Sequence, residues 1–231
     1  MKTFLITGAS KGIGRATAIQ LVRHGGQRVI GMARDQEALA SLAQELRSES
    51  GEFFALPFDL LSEDYAPLLS ELRRFPKLDG LLNNAGLLKN KAFSELGDQD
   101  FQQLFAVNVF APAKLCQRLE NDFAPNAHIV NIGSMGGFQG SSKFPGLAAY
   151  SASKAAIASL SECLAEEWKE KKISVNCLAL GAVQTEMLAQ AFPGYQAPLS
   201  SEKMAEFMAW FLEHGHHFFN GKVLPVALNN P

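Results

Sequence analysis

The chain has 231 residues, of which 47% are hydrophobic and only 19% charged, with a formal charge of −2; this suits one α/β domain with a substantial core. A balance so near neutrality, with no long lysine or arginine run, speaks against a nucleic-acid partner, because phosphates along a duplex are neutralised by clustered cations. The three cysteines, Cys116, Cys163 and Cys177, lie far apart in apolar or helical surroundings and read as reduced packing residues, with neither a disulfide framework nor metal spacing.

In chain order, Lys2 to Thr7 is a short apolar strand, too short for a signal peptide and halted by glycine; no later run is long enough to span a bilayer. A cytoplasmic protein without a membrane partner is expected. The strand runs into Gly8-Ala-Ser-Lys-Gly12-Ile-Gly14 and then into the helical pattern from Arg15 to His24. Glycines let backbone N–H groups approach a pyrophosphate with no Cβ in the way, and a helix N-terminus adds partial positive charge. Strand-like runs recur at Arg28 to Ala33, Glu52 to Phe58, Leu78 to Leu82, His128 to Ile132, Ile173 to Ala179 and Lys222 to Val226, with helical patterns in most of the gaps. This alternation predicts one domain over 1–231, a doubly wound, Rossmann-like parallel sheet of about seven strands with helices on both faces and ligands at the carboxyl ends of the strands. The segment from Phe192 to Ser201, rich in Pro, Gly and Ser, reads as a mobile loop over a site. Met204, Phe207, Met208 and Phe211 recur at helical spacing and predict core packing, whereas His214-Gly-His216-His217 reads as a polar loop, so no metal is expected.

The chemistry is carried by Tyr150-Ser-Ala-Ser-Lys154. A tyrosine and a lysine at this spacing share one helix face, and a free phenol, with a pKa of about 10, becomes useful for proton transfer near neutrality when an ammonium stabilises its anion. Other polar residues gather after the strands: Asn83-Asn84-Ala85-Gly86 after the fourth, Gly133-Ser134-Met135-Gly136-Gly137 after the fifth, and Gly181-Ala182-Val183-Gln184-Thr185 after the sixth.

This ordered set, from the glycine loop through the Asn83 tetrad, Asn108 and Ser134 to Tyr150 and Lys154, resembles the short-chain dehydrogenase/reductase family over essentially the whole chain, in its compact branch. The resemblance implies an oxidoreductase that moves a hydride between a nicotinamide cofactor and a small-molecule carbonyl or alcohol. Tyr150 would be the general acid/base, Lys154 would lower its pKa and hold the nicotinamide ribose, and Ser134 would hold the substrate oxygen. Asn108 would kink its helix and position a proton-relay water; a buried asparagine satisfying backbone groups is the structural alternative. Gly8, Ser10, Lys11, Gly12, Ile13 and Gly14 would hold the cofactor from the first loop, together with Asp59 at the adenine edge, Asn83, Ala85 and Gly86, and Gly181, Val183 and Thr185 beside the carboxamide.

Two features depart from the family pattern. Leu180-Gly181 replaces the usual Pro-Gly, leaving that turn less rigid, and Gly140 to Gly146 lengthens the interval between Ser134 and Tyr150 and is expected to bulge into the substrate cleft. An enzyme using NAD places a carboxylate about 20 residues beyond the glycines, at the end of the second strand. Arg34 stands there, with Lys11 as a second cation, so NADP(H) is expected over NAD(H), which stays open because Asp35 follows immediately; Asp35 also reads as a helix N-cap. The helices around Asp100 to Asp122 and Ala148 to Glu170, with Phe101, Phe105 and Trp168, carry apolar surface that predicts a homodimer or homotetramer. The alternative to an enzyme is a dinucleotide-binding sensor or signalling protein on the same fold with little turnover.

Overall fold

The computed structural model of the chain describes residues 1–228. Seven strands form one sheet: β1 (Thr3–Thr7), β2 (Arg28–Ala33), β3 (Glu52–Pro57), β4 (Leu78–Asn83), β5 (Phe123–Ile132), β6 (Ser174–Leu180) and β9 (Val223–Val226). Their order is β3-β2-β1-β4-β5-β6-β9 and every pairing is parallel. Parallel neighbours need long crossovers, which the helices supply: α1 (Gly12–Arg23), α2 (Gln36–Glu45), α3 (Ala66–Leu72), α4 (Asp98–Phe105), α5 (Ala111–Leu119), α6 (Ala148–Glu167), α7 (Glu186–Ala191) and α8 (Ser201–His214).

Because side chains alternate along a strand, β1 feeds two cores. Phe4 and Ile6 pack on one face with Leu21 of α1, Leu39 of α2 and Phe211 of α8, while Leu5 packs on the other with Leu68 of α3 and Leu115 of α5. Met204, Met208 and Phe211 are core residues, as their spacing predicts, with Phe207 partly buried beside them. Trp168 is also covered from within, packing near Phe123 with ring centroids 6.1 Å apart, so it adds nothing to an exposed apolar face.

Three details differ from the sequence reading. β5 starts at Phe123, five residues before His128, through a register shift opposite Leu78 and Gly80 and a left-handed Asn126 (φ 65°). A second, two-stranded sheet pairs β7 (Val183–Gln184) with β8 (Leu199–Ser200), closing the segment after β6 into a compact flap that holds α7. Between α4 and α5 the helix widens into a π turn at Ala106–Phe110, with the Ala111 N–H reaching the Ala106 carbonyl. Pro112 has no N–H to return to the Asn108 carbonyl four residues earlier, which accounts for the loosened ladder.

Candidate active site

A cavity of about 1200 Å³ runs along the carboxyl ends of the strands, from Arg34 and Asp59 at the β2–β3 side, over the glycine loop after β1, to Tyr150 and the α7 flap. Its position at the point where the sheet order reverses, between β1 and β4, is where an open α/β sheet leaves a crevice.

The glycine loop is shaped by backbone requirements. Gly8 and Gly12 have φ of 68° and 56°, and a Cβ on Gly8 would sit 2.9 Å from the Ala85 Cα. Lys11, the N-cap of α1, makes no side-chain bond to the first turn, which also carries no acidic residue, leaving its N–H groups to an anion. The neighbouring loop after β4 is pinned to it: the Asn84 and Ala85 N–H groups both donate to Thr7 Oγ1 at 3.0 Å, and Asn84 Nδ2 donates to the Thr7 and Gly8 carbonyls at 3.1 and 3.2 Å.

Lys154 is brought to the site by close packing. A Cβ on Gly137 would lie 2.6 Å from Lys154 C and Ala155 N, so only glycine lets α6 approach the turn after β5 this closely. Lys154 Nζ then donates to the Ile132 carbonyl at 2.7 Å and lies 5.9 Å from the centre of the Tyr150 ring. Burial pushes its ammonium down to about 8, partly offset by Cys177. Burial also raises the Tyr150 phenol above its ordinary value, and the neighbouring Ser134 hydroxyl pulls the other way. Desolvation outweighs the Ser134 hydroxyl at the phenol, and Lys154 uses one of its three N–H donors on the Ile132 carbonyl. Ser134 itself follows β5, where its Oγ accepts the Gly136 N–H at 3.1 Å, so the turn role and a place on the cavity wall coexist.

Asn108 does not line the cavity. Its Nδ2 donates to the Leu87 carbonyl (2.9 Å) and Ser153 Oγ (3.0 Å), and its Oδ1 accepts the Leu87 N–H (2.8 Å), stitching the π turn to the β4 loop and to α6. Asn83 is likewise absent from the wall; it ends β4 with its amide turned to Asn131 (2.7 Å), its register partner on β5. Gly14 supports the loop from behind, where a Cβ would run into the Gly8 carbonyl. The remaining cofactor positions, Gly8, Ser10, Lys11, Gly12, Ile13, Arg34, Asp59, Ala85, Gly86, Gly181, Val183 and Thr185, all reach the wall. Asn84 and Thr7 stand within the sequence motifs but were assigned no role of their own; strand parity is the available signal, since Asn83 and its neighbour must point to opposite sides.

The family model described as short chain dehydrogenase matches residues 2–196. The chain belongs to the short-chain dehydrogenase/reductase family. Among its relatives, the uncharacterized oxidoreductase YciK of Escherichia coli K12 is 35% identical over 221 residues, 91% of this chain and 84% of that protein. The NADPH-dependent pterin aldehyde reductase of Arabidopsis thaliana is 36% identical over 208 residues, 85% of this chain and 83% of that one. A short-chain dehydrogenase structure from Escherichia coli CFT073, complexed with NADPH, superposes with a TM-score of 0.84 at 30% identity, covering 97% of this chain and 95% of that one. A Brucella melitensis 3-ketoacyl-(acyl-carrier-protein) reductase complexed with NADH gives 0.83 at 26% identity, covering 98% and 96%.

In this short-chain dehydrogenase/reductase the two departures take definite form. Leu180 pairs with Val226 as the last residue of β6, and the Gly181 N–H donates to the Val226 carbonyl (2.9 Å), so a strand bond holds the turn in place of a proline ring. Of the long loop, Phe144 and Leu147 line the cavity while Gly140 to Lys143 do not; the loop is tied to the β4 side by the Lys91 N–H on the Gly146 carbonyl (2.9 Å). The flap is closed over the same mouth by Asn90 Nδ2 donating to the Ala191 carbonyl (2.9 Å), with Phe192 and Tyr195 on the wall. At the far end Asp35 accepts the Ala38 N–H (3.0 Å) as the N-cap of α2, while Arg34 is exposed and has no ion pair among the described residues. Lys11 Nζ lies 3.2 Å from Glu186 of α7, an exposed pair worth about 0–1 kcal/mol and easily exchanged for a phosphate. No helix among the described residues is long and apolar enough to cross a membrane.

Proposed function

We propose that the chain is an NADP-dependent reductase of small-molecule carbonyls, running in reverse on alcohols, with Tyr150 as general acid/base. The observation that carries this reading is one cavity with Ser134, Tyr150 and Lys154 at one end and Arg34 and Lys11 at the other. The glycine cradle and the uncapped start of α1 fit a pyrophosphate, and Arg34, free of carboxylate partners, fits a ribose 2′-phosphate. Asp35, occupied as a helix cap, is a poor candidate for a ribose ligand. Bound NADPH would supply the hydride for the carbonyl carbon. Tyr150, a phenol and so protonated at neutral pH, would give its proton to the carbonyl oxygen, while Ser134 would orient that oxygen and Lys154, with donors left beyond its bond to Ile132, would hold the ribose. Asn108 acts as a positioning residue, fixing the β4 loop to α6.

A homodimer or homotetramer is part of this reading. Phe110, on the π turn and 61% exposed, lies 6.3 Å from Phe105 by ring centroids and offers the apolar surface that Trp168 does not. Light scattering at micromolar concentration should give a multiple of the chain mass. The function itself is tested by following loss of NADPH absorbance over a panel of aldehydes and ketones. Tight NADPH binding with no turnover of any of them would favour the dinucleotide-binding sensor.

A further inference from the structure

The Tyr150 end of the cavity is walled by three segments far apart in the chain: the loop after β4 with Leu87 and Leu88, the loop before α6 with Phe144 and Leu147, and the flap with Leu188 and Phe192. All three meet at Asn90. Its Nδ2 donates at 2.9 Å to the carbonyl of Ala191, 101 residues away and the last residue of α7. Its Oδ1 fills the space beside Gly146, where a Cβ would run into it, so only a glycine, here at φ 83°, lets the segment before α6 come this close. The Lys91 N–H fastens that segment by donating to the Gly146 carbonyl at 2.9 Å.

Asn90 is aimed by its neighbours. Lys89 and Lys91 on either side both reach the Asp100 carboxylate, at 2.8 and 2.9 Å, and leave Asn90 between them directed to the flap. The flap in turn needs an outside partner, because α7 has six residues, too few to persist as a helix alone, and the carbonyls of its last turn have no partner within it. Thr185 caps its start by accepting the Leu188 N–H at 3.1 Å. The base of the flap is bonded through Gln184, whose Oε1 accepts the Ala197 N–H and whose carbonyl accepts the Ser201 hydroxyl, both at 2.8 Å. Across the cavity, the polar ties of α7 among the described residues are the Asn90 bond and the exposed Lys11–Glu186 pair, and the second of these is open to exchange with a phosphate.

Resting on the reading of this cavity given under Proposed function, we propose that Asn90 is a positioning residue for the reaction: it latches the flap over a substrate in front of Tyr150, and its amide releases the Ala191 carbonyl each time substrate enters or product leaves. The latch is one neutral hydrogen bond. Its loss should shift the balance of open and closed flap by about 3- to 10-fold, enough to change the kinetics without disturbing the fold.

The test compares Asn90→Ala, which removes the side chain, with Asn90→Asp, which keeps its size and withholds the donor. Hydrogen–deuterium exchange should be about 3- to 10-fold faster over 186–192 in both variants and unchanged over α6. With saturating NADPH and any carbonyl compound that the unmodified protein reduces, KM should rise by a similar factor while kcat holds or increases, and the Kd for NADPH should stay within about threefold. Unchanged exchange over 186–192 in either variant, or exchange raised equally over α6, would overturn the latch; so would a fall in kcat at constant KM. Exchange needs no turnover, which separates the latch from the broader reading. If the unmodified protein reduces no carbonyl compound and both variants still loosen 186–192 alone, the reductase reading fails and the latch stands.

Discussion

Two buried polar networks lie under the same sheet, and only one of them borders open space. Midway along β5 and early in β6, His128 donates from Nδ1 to the Leu212 carbonyl (3.2 Å), which can only accept, so Nε2 is the acceptor for Asn176 Nδ2 (2.9 Å). Asn176 Nδ2 also reaches the Phe219 carbonyl, and its Oδ1 takes the Lys222 N–H. Every group is used, the ring is 0% exposed, and burial drives its pKa down to about 3. At the carboxyl ends, burial also displaces Tyr150 upward and Lys154 downward, yet both stand on the cavity wall. A perturbed pKa therefore reports desolvation in both places; what marks the second as a candidate site is a proton-bearing group on the wall of an open cavity.

The sharpest way to break this contrast is Tyr150→Phe. If the phenol is the acid, turnover should drop by about 10²–10⁴-fold while NADPH affinity stays within a few fold, because the ring still fills its place. Unchanged turnover would make the open network as structural as the closed one. Lys154→Met should lower kcat/KM by roughly 10²-fold or more and also weaken NADPH binding. The same variant bears on stability. The folded pKa of about 8 lies below the ordinary 10.5, so the unfolded chain holds an extra proton on this group between those values, and Lys154 contributes stability that grows with pH through that window, against the Cys116 and Cys177 thiols, which burial pushes up to about 12 and which act in the opposite sense above pH 9. Urea unfolding at several alkaline pH values should therefore give Lys154→Met a stability that rises less, or falls more, with pH than that of the unmodified protein.

Next in size is Arg34→Asp, expected to shift the ratio of NADPH to NADH affinity by about 10- to 100-fold toward NADH, the worth of one or two charge-assisted bonds. Asp35→Ala should leave that ratio alone and cost ~1 kcal/mol of stability, as for any lost N-cap; a changed ratio would make Asp35 a ribose ligand. In the closed network, His128 has a folded pKa of about 3 against the ordinary 6.5, so stability is full above 6.5 and is lost as pH falls toward 3. By pH 5 the loss from this one group should be about 2 kcal/mol, and it should be absent from a His128→Gln protein. Activity at neutral pH should be the same in that variant, since the ring touches nothing in the cavity. A fall in turnover without unfolding would show that the two networks are coupled.

Much of the site was legible because its logic is local. The Tyr150 and Lys154 spacing needs only a helix, the Gly8 and Gly12 positions need only a turn with positive φ, and Asp35 before Gln36 needs only a helix start. The less legible parts depend on contacts between distant segments. The tetrad after β4 drew attention to Asn83, but its register opposite Asn131 turned that amide into the sheet and left Asn84 to bond the glycine loop. Trp168 looked like interface surface until Phe123 covered it, and Asn108 bonds Leu87 and Ser153 away from the cavity wall. The π turn had a local cause in Pro112 that the apolar pattern around Asn108 hides.

By itself, then, the sequence determined the alternation of strands and helices, the family and the candidate reacting groups, because periodicity, turn chemistry and short motifs are properties of neighbouring residues. The tertiary structure decided how deeply these groups are buried and what lines the cavity around them. Burial, which raises the Tyr150 phenol and depresses Lys154, is a sum over everything packed around them, and the apolar surface facing Tyr150 is assembled from Met135, Phe144, Leu188 and Tyr195, segments that meet only once the sheet has closed its order and the flap has folded back over its edge.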